Sequence, residues 1–159
     1  MTINEKDTFP DVTFYEITTS GPAGMEARKI LKNKKILLVG VPGAFTPTCS
    51  DEHLPGYKKL AKEFFSKGIE EIYVISTNDP FIMKSWSDSL NISEFKFISD
   101  GNGEFRDKSG LESDLSMVGL GRRLSRFAMI IDNGIIIKLF NENGPGLDLS
   151  KAENVIKSV

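Results

Sequence analysis

Ile36-Leu37-Leu38-Val39-Gly40-Val41-Pro42-Gly43-Ala44-Phe45-Thr46-Pro47-Thr48-Cys49 decides how the rest of the chain is read. Ile36 to Val39 is a short, wholly apolar, partly β-branched run, the pattern of a strand buried on both faces. Gly40, Pro42 and Gly43 end that strand and open a loop. Thr46 followed by Pro47 marks a helix start: the threonine hydroxyl caps, and proline at the first helical position gives up an amide hydrogen that would have been unpaired anyway. Cys49, the only cysteine in the chain, then falls in the first helical turn. There, free N–H groups and the positive end of the helix dipole favour an anion. Thiolate rather than thiol is the nucleophilic form of cysteine, and a helix N-terminus with a nearby cation promotes it. A lone cysteine is more often a small buried hydrophobe, but a strand–loop–helix-start context favours the reactive reading here.

Outward from this stretch, Val12 to Ile17 suggests an edge strand after a lead-in over residues 1–11, and Thr18 to Gly24 reads as turn-rich. Beyond Cys49, Pro55-Gly56 is expected to bend or restart the helix. Tyr57, Leu60, Ala61, Phe64 and Phe65 recur at helical spacing, with Gly68 as C-cap. Ile72 to Ile75 is a second buried strand. Asp79-Pro80 opens another helix, with Phe81, Ile82, Trp86 and Leu90 expected on its buried side. Phe95 to Ser99 is a third strand. Residues 102–121 are glycine-rich, with a short helix near Glu104–Lys108. Asp132-Asn133-Gly134 signals a tight hairpin between two apolar runs. Ser150-Lys151-Ala152-Glu153 reads as a capping box that starts a last helix through Ile156. Strands linked through helices make a parallel section and the hairpin adds an antiparallel edge. The expectation is an α/β chain with a central mixed sheet flanked by helices, in the order of a thioredoxin-like fold.

The whole chain sets bounds. At 159 residues it reads as one domain, 1–159, able to bury about two-thirds of its unfolded surface. Its 20 basic and 22 acidic residues leave a net charge of −2, which argues against a nucleic-acid partner. One cysteine allows no internal disulfide, and with one histidine it cannot build a zinc site. No metal or cofactor is therefore expected. A free thiol suits a reducing compartment such as the cytoplasm. Residues 1–7 have neither the basic nor the apolar part of a secretory signal, and no apolar run approaches the ~20 residues of a membrane span.

Pro42-x-x-x-Thr46-x-x-Cys49 resembles the peroxiredoxin active-site motif. The longer string Val41 to Ser50, with His53-Leu54-Pro55-Gly56, is similar to the type-II or type-five branch. Further matches follow in order: Ser76-x-Asn78-Asp79-Pro80-Phe81 with Trp86 behind it, then Arg122-Arg123-Leu124-x-Arg126-Phe127 leading into Ala128-Met129. The resemblance implies a thioredoxin-like fold with an N-terminal extension, reduction of hydroperoxides by thiols, and a homodimer.

On that reading Cys49 attacks the peroxide as thiolate and becomes a sulfenic acid. Backbone N–H groups near Gly43 and Cys49 stabilise the departing oxygen. Thr46 both donates and accepts, orienting peroxide and thiolate, though a plain helix cap is its simpler role. Pro42 shapes the loop and keeps water from the sulfur; a turn proline would do the same. Arg126 is the expected cation, because its fork of donors can hold thiolate and peroxide together and the family's arginine opens this strand. His53, four residues after Cys49, is a rival partner for the sulfur, but no third residue to orient its ring is evident, so it is placed behind the site. Relatives with a second cysteine carry it where Val74 stands or near Leu149, and neither position is cysteine here. The expectation is a one-cysteine cycle closed by an external thiol, glutathione (with or without glutaredoxin) before thioredoxin. A monothiol disulfide oxidoreductase and a non-catalytic binding or holdase module of the same fold are the alternatives.

Overall fold

The computed structural model describes residues 2–159. Seven strands form one mixed sheet: β1 (Thr13–Thr18), β2 (Gly21–Glu26), β3 (Lys35–Gly40), β4 (Glu71–Ser76), β5 (Lys96–Ser99) and, after a separate two-stranded ribbon of β6 (Glu112–Asp114) and β7 (Arg122–Leu124), β8 (Phe127–Asp132) and β9 (Ile135–Asn141). Their spatial order is β2-β1-β5-β4-β3-β8-β9. β3, β4 and β5 are parallel, whereas β8 runs antiparallel to β3, and β1 to β5. The helices are α1 (Ala27–Ile30), α2 (Leu54–Ser66), α3 (Pro80–Leu90), α4 (Glu104–Ser109) and α5 (Ala152–Val155).

Alternation along β3 divides the core. Leu37 and Val39 pack with α2, α3 and α5 on one face of the sheet, while Ile36 and Leu38 pack with α1, α4 and Phe9 on the other. Both faces are therefore covered, as a continuous apolar run requires. This is the central mixed sheet flanked by helices, in the order of a thioredoxin-like fold, expected from the element order. Phe9, from the lead-in, stacks on Phe105 with ring centroids 5.2 Å apart.

Register places the site. In the β3–β8 pairing Gly40 lies opposite Phe127, so the residue before Phe127, Arg126, sits beside the loop that leaves β3. A Cβ on Gly40 would stand 2.0 Å from the Phe127 ring. Only glycine allows that ring to lie across the strand end.

Several local expectations are corrected. Residues 21–26 are not turn but strand β2, paired with β1 from Thr18↔Gly21 to Thr13↔Glu26. Its glycines, proline and alanine hide any period-two pattern, and pairing rather than propensity sets the conformation. Asp79 caps α3 as expected, accepting from Ile82 N–H at 2.9 Å, yet Phe81 and Ile82 are exposed, and Met83 and Trp86 form the buried side. The capping box at Ser150 does not form. Its hydroxyl donates to Glu142, and Lys151 rather than Ser150 is the N-cap of α5, its carbonyl accepting from the Val155 N–H at 3.0 Å, so the helix starts one residue later than the box requires.

Candidate active site

Cys49 opens a π-helical turn, Cys49–His53, that runs directly into α2. The cause is Pro55. An α-helix through this point would press the proline ring against the Asp51 carbonyl and leave that carbonyl unpaired. Widening by one residue avoids the clash, and the Leu54 N–H bonds back to the Cys49 carbonyl across five residues. The helix thus neither breaks nor restarts at Pro55-Gly56. Upstream, the Ser50 N–H bonds to the Thr46 carbonyl at 3.0 Å, so the helix does begin where Thr46-Pro47 signalled. The Thr46 hydroxyl, however, makes no cap; it donates to the Gly43 carbonyl at 2.7 Å. That bond closes the Gly43–Thr46 turn and leaves the hydroxyl's lone pairs unspent.

Other residues brace this turn from outside. Asn78 Oδ1 accepts from the Ala44 N–H at 2.8 Å and from the Ser76 hydroxyl at 2.8 Å, tying the loop to the end of β4. Arg123 donates to the Leu120 and Pro42 carbonyls at 2.7 and 3.1 Å. Its guanidinium would meet any Cβ on Gly43 at 2.8 Å. The buried Trp86 donates its indole N–H to the Ser50 hydroxyl at 2.9 Å, next to the cysteine. Phe45 sits at φ +63°, a costly conformation for a bulky residue and one that persists only where its surroundings impose it.

Cys49 is 0% exposed and Arg126 2% exposed. Arg126 Nη2 donates to Cys49 Sγ at 3.1 Å, Nη1 to His53 Nδ1 at 2.9 Å, and Nε to the Pro145 carbonyl at 3.0 Å. Among the described residues it forms no ion pair with a carboxylate, whereas Arg122 is bound to Asp107 and Glu112. A buried guanidinium without an acidic partner is costly unless an anion completes its surroundings. The sulfur is the group placed to be that anion. Of the three nearby arginines, the geometry therefore singles out Arg126, with Arg123 as a brace for the loop and Arg122 in a surface network.

His53 is buried behind the guanidinium rather than against the sulfur. A guanidinium only donates, so Nδ1 must accept, and the proton sits on Nε2, which faces the Ser150 carbonyl at 3.3 Å. Burial, reinforced by the charge on Arg126, pushes this imidazole down to about 3. It is neutral near pH 7 and cannot take a proton from Cys49 there, which removes the Cys–His rival. The Ser150 carbonyl also accepts from the buried Tyr57 hydroxyl at 2.5 Å. Burial raises Glu142, but the N–H groups of Asp148 and Ser150 and the Ser150 hydroxyl outweigh it and hold the carboxyl below its usual range.

Of the residues named from sequence, the structure joins Cys49, Arg126 and His53 directly, and places Thr46, bonded to Gly43, at the start of the same helix, with Pro42 in the loop before it. Sequence reasoning assigned no part in the site to Asn78, although it lies in a quoted motif, nor to Pro145 and Ser150, which reach it through backbone carbonyls, nor to Glu142, whose carboxylate gathers the amides of Asp148, Leu149 and Ser150.

A redoxin family model matches residues 4–156. Peroxiredoxin-2D of Arabidopsis thaliana is 45% identical over 136 residues, covering 85% of this chain and 84% of that protein. Among solved structures, reduced Prx3 of Vibrio vulnificus in complex with H2O2 is 38% identical with a TM-score of 0.94 over 99% of each chain. The Plasmodium falciparum antioxidant protein, a 1-Cys peroxiredoxin, is 34% identical with a TM-score of 0.92 over 98% of each chain. Similarity of this extent, around a cysteine whose sulfur faces a buried guanidinium, places the chain in the redoxin family as a single-cysteine peroxiredoxin, a thiol-dependent peroxidase.

Proposed function

We propose that Cys49 Sγ, as thiolate, attacks one oxygen of a hydroperoxide while Arg126 holds both sulfur and substrate. The S–O bond forms as the O–O bond breaks; sulfur is oxidised to sulfenic acid, and the departing hydroxide or alkoxide takes a proton from water. The observation that carries this reading is the 3.1 Å donation from a carboxylate-free guanidinium to the sulfur. Thr46 serves as an acceptor for the substrate O–H, since its own proton is committed to Gly43. Gly43 and Cys49 lie where backbone amides can face the leaving oxygen at the helix start. Pro42, buried and braced by Arg123, keeps the loop closed over the sulfur. His53 orients Arg126.

The cycle closes through an external thiol, because the chain has no second cysteine. Glutathione condenses with the sulfenic acid, releasing water, and a second thiol, free or delivered by glutaredoxin, then regenerates Cys49; thioredoxin is the second candidate. Treatment with peroxide and glutathione followed by non-reducing mass spectrometry tests this step. A glutathione adduct on Cys49 is expected, and an unmodified sulfenic acid in excess glutathione would overturn it.

The remaining elements of the proposal are a single domain over 1–159, a reducing compartment such as the cytoplasm, and a homodimer. No helix among the described residues is long and apolar enough to cross a membrane. For the dimer the support is a group of exposed apolar side chains. Phe45 lies on the catalytic loop, Phe81 begins α3 next to the Asn78 that holds that loop, and Met117 and Val118 precede the Leu120 carbonyl joined to Pro42 through Arg123. Large exposed apolar side chains on segments bonded to the catalytic loop suit an interface.

A further inference from the structure

We propose that Glu142 is a positioning residue for the peroxidase reaction, acting on Arg126 through the backbone carbonyls of the 143–150 loop. The argument starts from where that loop's polar groups go. Residues 142–151, between β9 and α5, form no helix or strand, so many of their backbone groups need partners that no helix or sheet ladder supplies. The Glu142 carboxylate accepts four: from the N–H groups of Asp148, Leu149 and Ser150 at 2.7, 3.2 and 2.8 Å, and from the Ser150 hydroxyl at 2.7 Å. These bonds fold the loop back on its own beginning.

The folded loop turns three carbonyls toward the site. Gly144 accepts from the Arg126 backbone N–H at 2.9 Å, Pro145 accepts from Arg126 Nε at 3.0 Å, and Ser150 receives His53 Nε2–H, whose opposite ring nitrogen accepts from Arg126 Nη1. Two of the three guanidinium nitrogens are thus held, directly or through His53, by a loop that Glu142 organises. The remaining nitrogen, Nη2, is the one on sulfur. The Glu142 main chain is itself bonded to the residue it serves, donating to the Arg126 carbonyl at 3.0 Å. Glu142 touches neither sulfur nor substrate. Its effect is to aim the guanidinium, and a displacement of about 1 Å at a reacting centre can cost on the order of 100-fold in rate.

This inference rests on the peroxidase reading, and a double-mutant cycle separates the two. Single-turnover oxidation by H2O2, followed by Trp86 fluorescence, is measured for wild type, Glu142→Ala, Arg126→Ala and the double variant, with iodoacetamide alkylation of Cys49 and thermal unfolding as controls. Glu142→Gln, which keeps one carbonyl acceptor, carries the test if the alanine variant does not fold. Glu142→Ala is expected to slow peroxide oxidation about 10- to 100-fold in the wild-type background but less than about 2-fold once Arg126 is gone, since its route to the sulfur no longer exists. Alkylation, which needs no oriented peroxide, should fall less than oxidation. Equal losses in both backgrounds, or an unchanged rate in folded Glu142→Ala, would overturn the proposal. A wild type that does not react with peroxide at all would bring down the peroxidase reading, and this inference with it.

Discussion

Replacing Arg126 by lysine keeps the positive charge but not the fork, and the structure indicates what that costs. Three separate nitrogens reach a carbonyl, an imidazole and the sulfur at 3.0, 2.9 and 3.1 Å. An ammonium has one nitrogen on a flexible stem and cannot hold partners spread around a planar guanidinium. In Arg126→Lys at least one of Pro145 carbonyl, His53 Nδ1 and Cys49 Sγ loses its donor. An unpaired buried acceptor costs about 1–3 kcal/mol of stability. Loss of one preorganised donor at the reacting centre costs about 2.7–4 kcal/mol of transition-state stabilisation, equivalent to roughly 100- to 1,000-fold in rate. Arg126→Met, which keeps bulk but removes charge and donors, should be slower still. The assay is stopped-flow Trp86 fluorescence under H2O2 in excess over protein, because the indole bonds to Ser50 beside the cysteine. Arg126→Lys reacting within about threefold of wild type would refute the reasoning that fork geometry, rather than charge alone, places sulfur and peroxide.

Further outcomes follow from the same contacts. His53 is held near 3 in the folded chain against an ordinary 6.5, so below pH 6.5 the unfolded chain binds a proton that the folded chain refuses. The stability of wild type relative to His53→Gln should therefore decline as pH falls, by up to about 1.4 kcal/mol per unit between 6.5 and 3; urea melts at pH 7 and pH 5 check this, and a pH-independent difference contradicts it. Gly40→Ala forces a Cβ into the Phe127 ring and should destabilise by about 3 kcal/mol or more, read as a lowered Tm; a Tm close to that of wild type contradicts the register that places Arg126. On the proposed dimer, Met117→Asp, at a fully exposed apolar side chain, should yield a monomer in sedimentation velocity where wild type sediments as a dimer; a monomeric wild type would contradict the dimer, and an unchanged dimer would move the interface elsewhere.

What was legible in the sequence divides along physical lines. Buried strands β3, β4 and β8 were visible because both faces are apolar, and the β8–β9 turn because Asn133 and Gly134 at positive φ are what such a hairpin requires. Strand β2 was hidden, since Gly21, Pro22, Ala23 and Gly24 carry no strand propensity and are held by pairing with β1. Arg126 was separated from the chemically identical Arg122 and Arg123 only by the family resemblance, whereas Cys49 and Thr46 could be named because their chemistry resides in their side chains. The manner in which Thr46 acts could not, because the choice between capping a helix and bonding Gly43 depends on the loop's tertiary bracing by Asn78 and Arg123. The same holds for the π turn. Pro55 announced a disturbance, but whether the chain bends or widens is decided by packing. The carbonyls of Pro145 and Ser150 act through the main chain, where residue identity is nearly silent, and Glu142 acts by its carboxylate on the amides of Asp148, Leu149 and Ser150, a tertiary arrangement with no local spacing to announce it.

The central claim is that the single buried sulfur, facing Arg126, reduces peroxide. Mixing a slight molar excess of H2O2 with reduced protein in the absence of any thiol measures it most directly, by following peroxide remaining and sulfenic acid formed on Cys49. Rapid loss of one equivalent of peroxide per chain, matched by one sulfenic acid and absent in Cys49→Ser, is the expected result. Slow consumption, or consumption that survives in Cys49→Ser, would contradict the account.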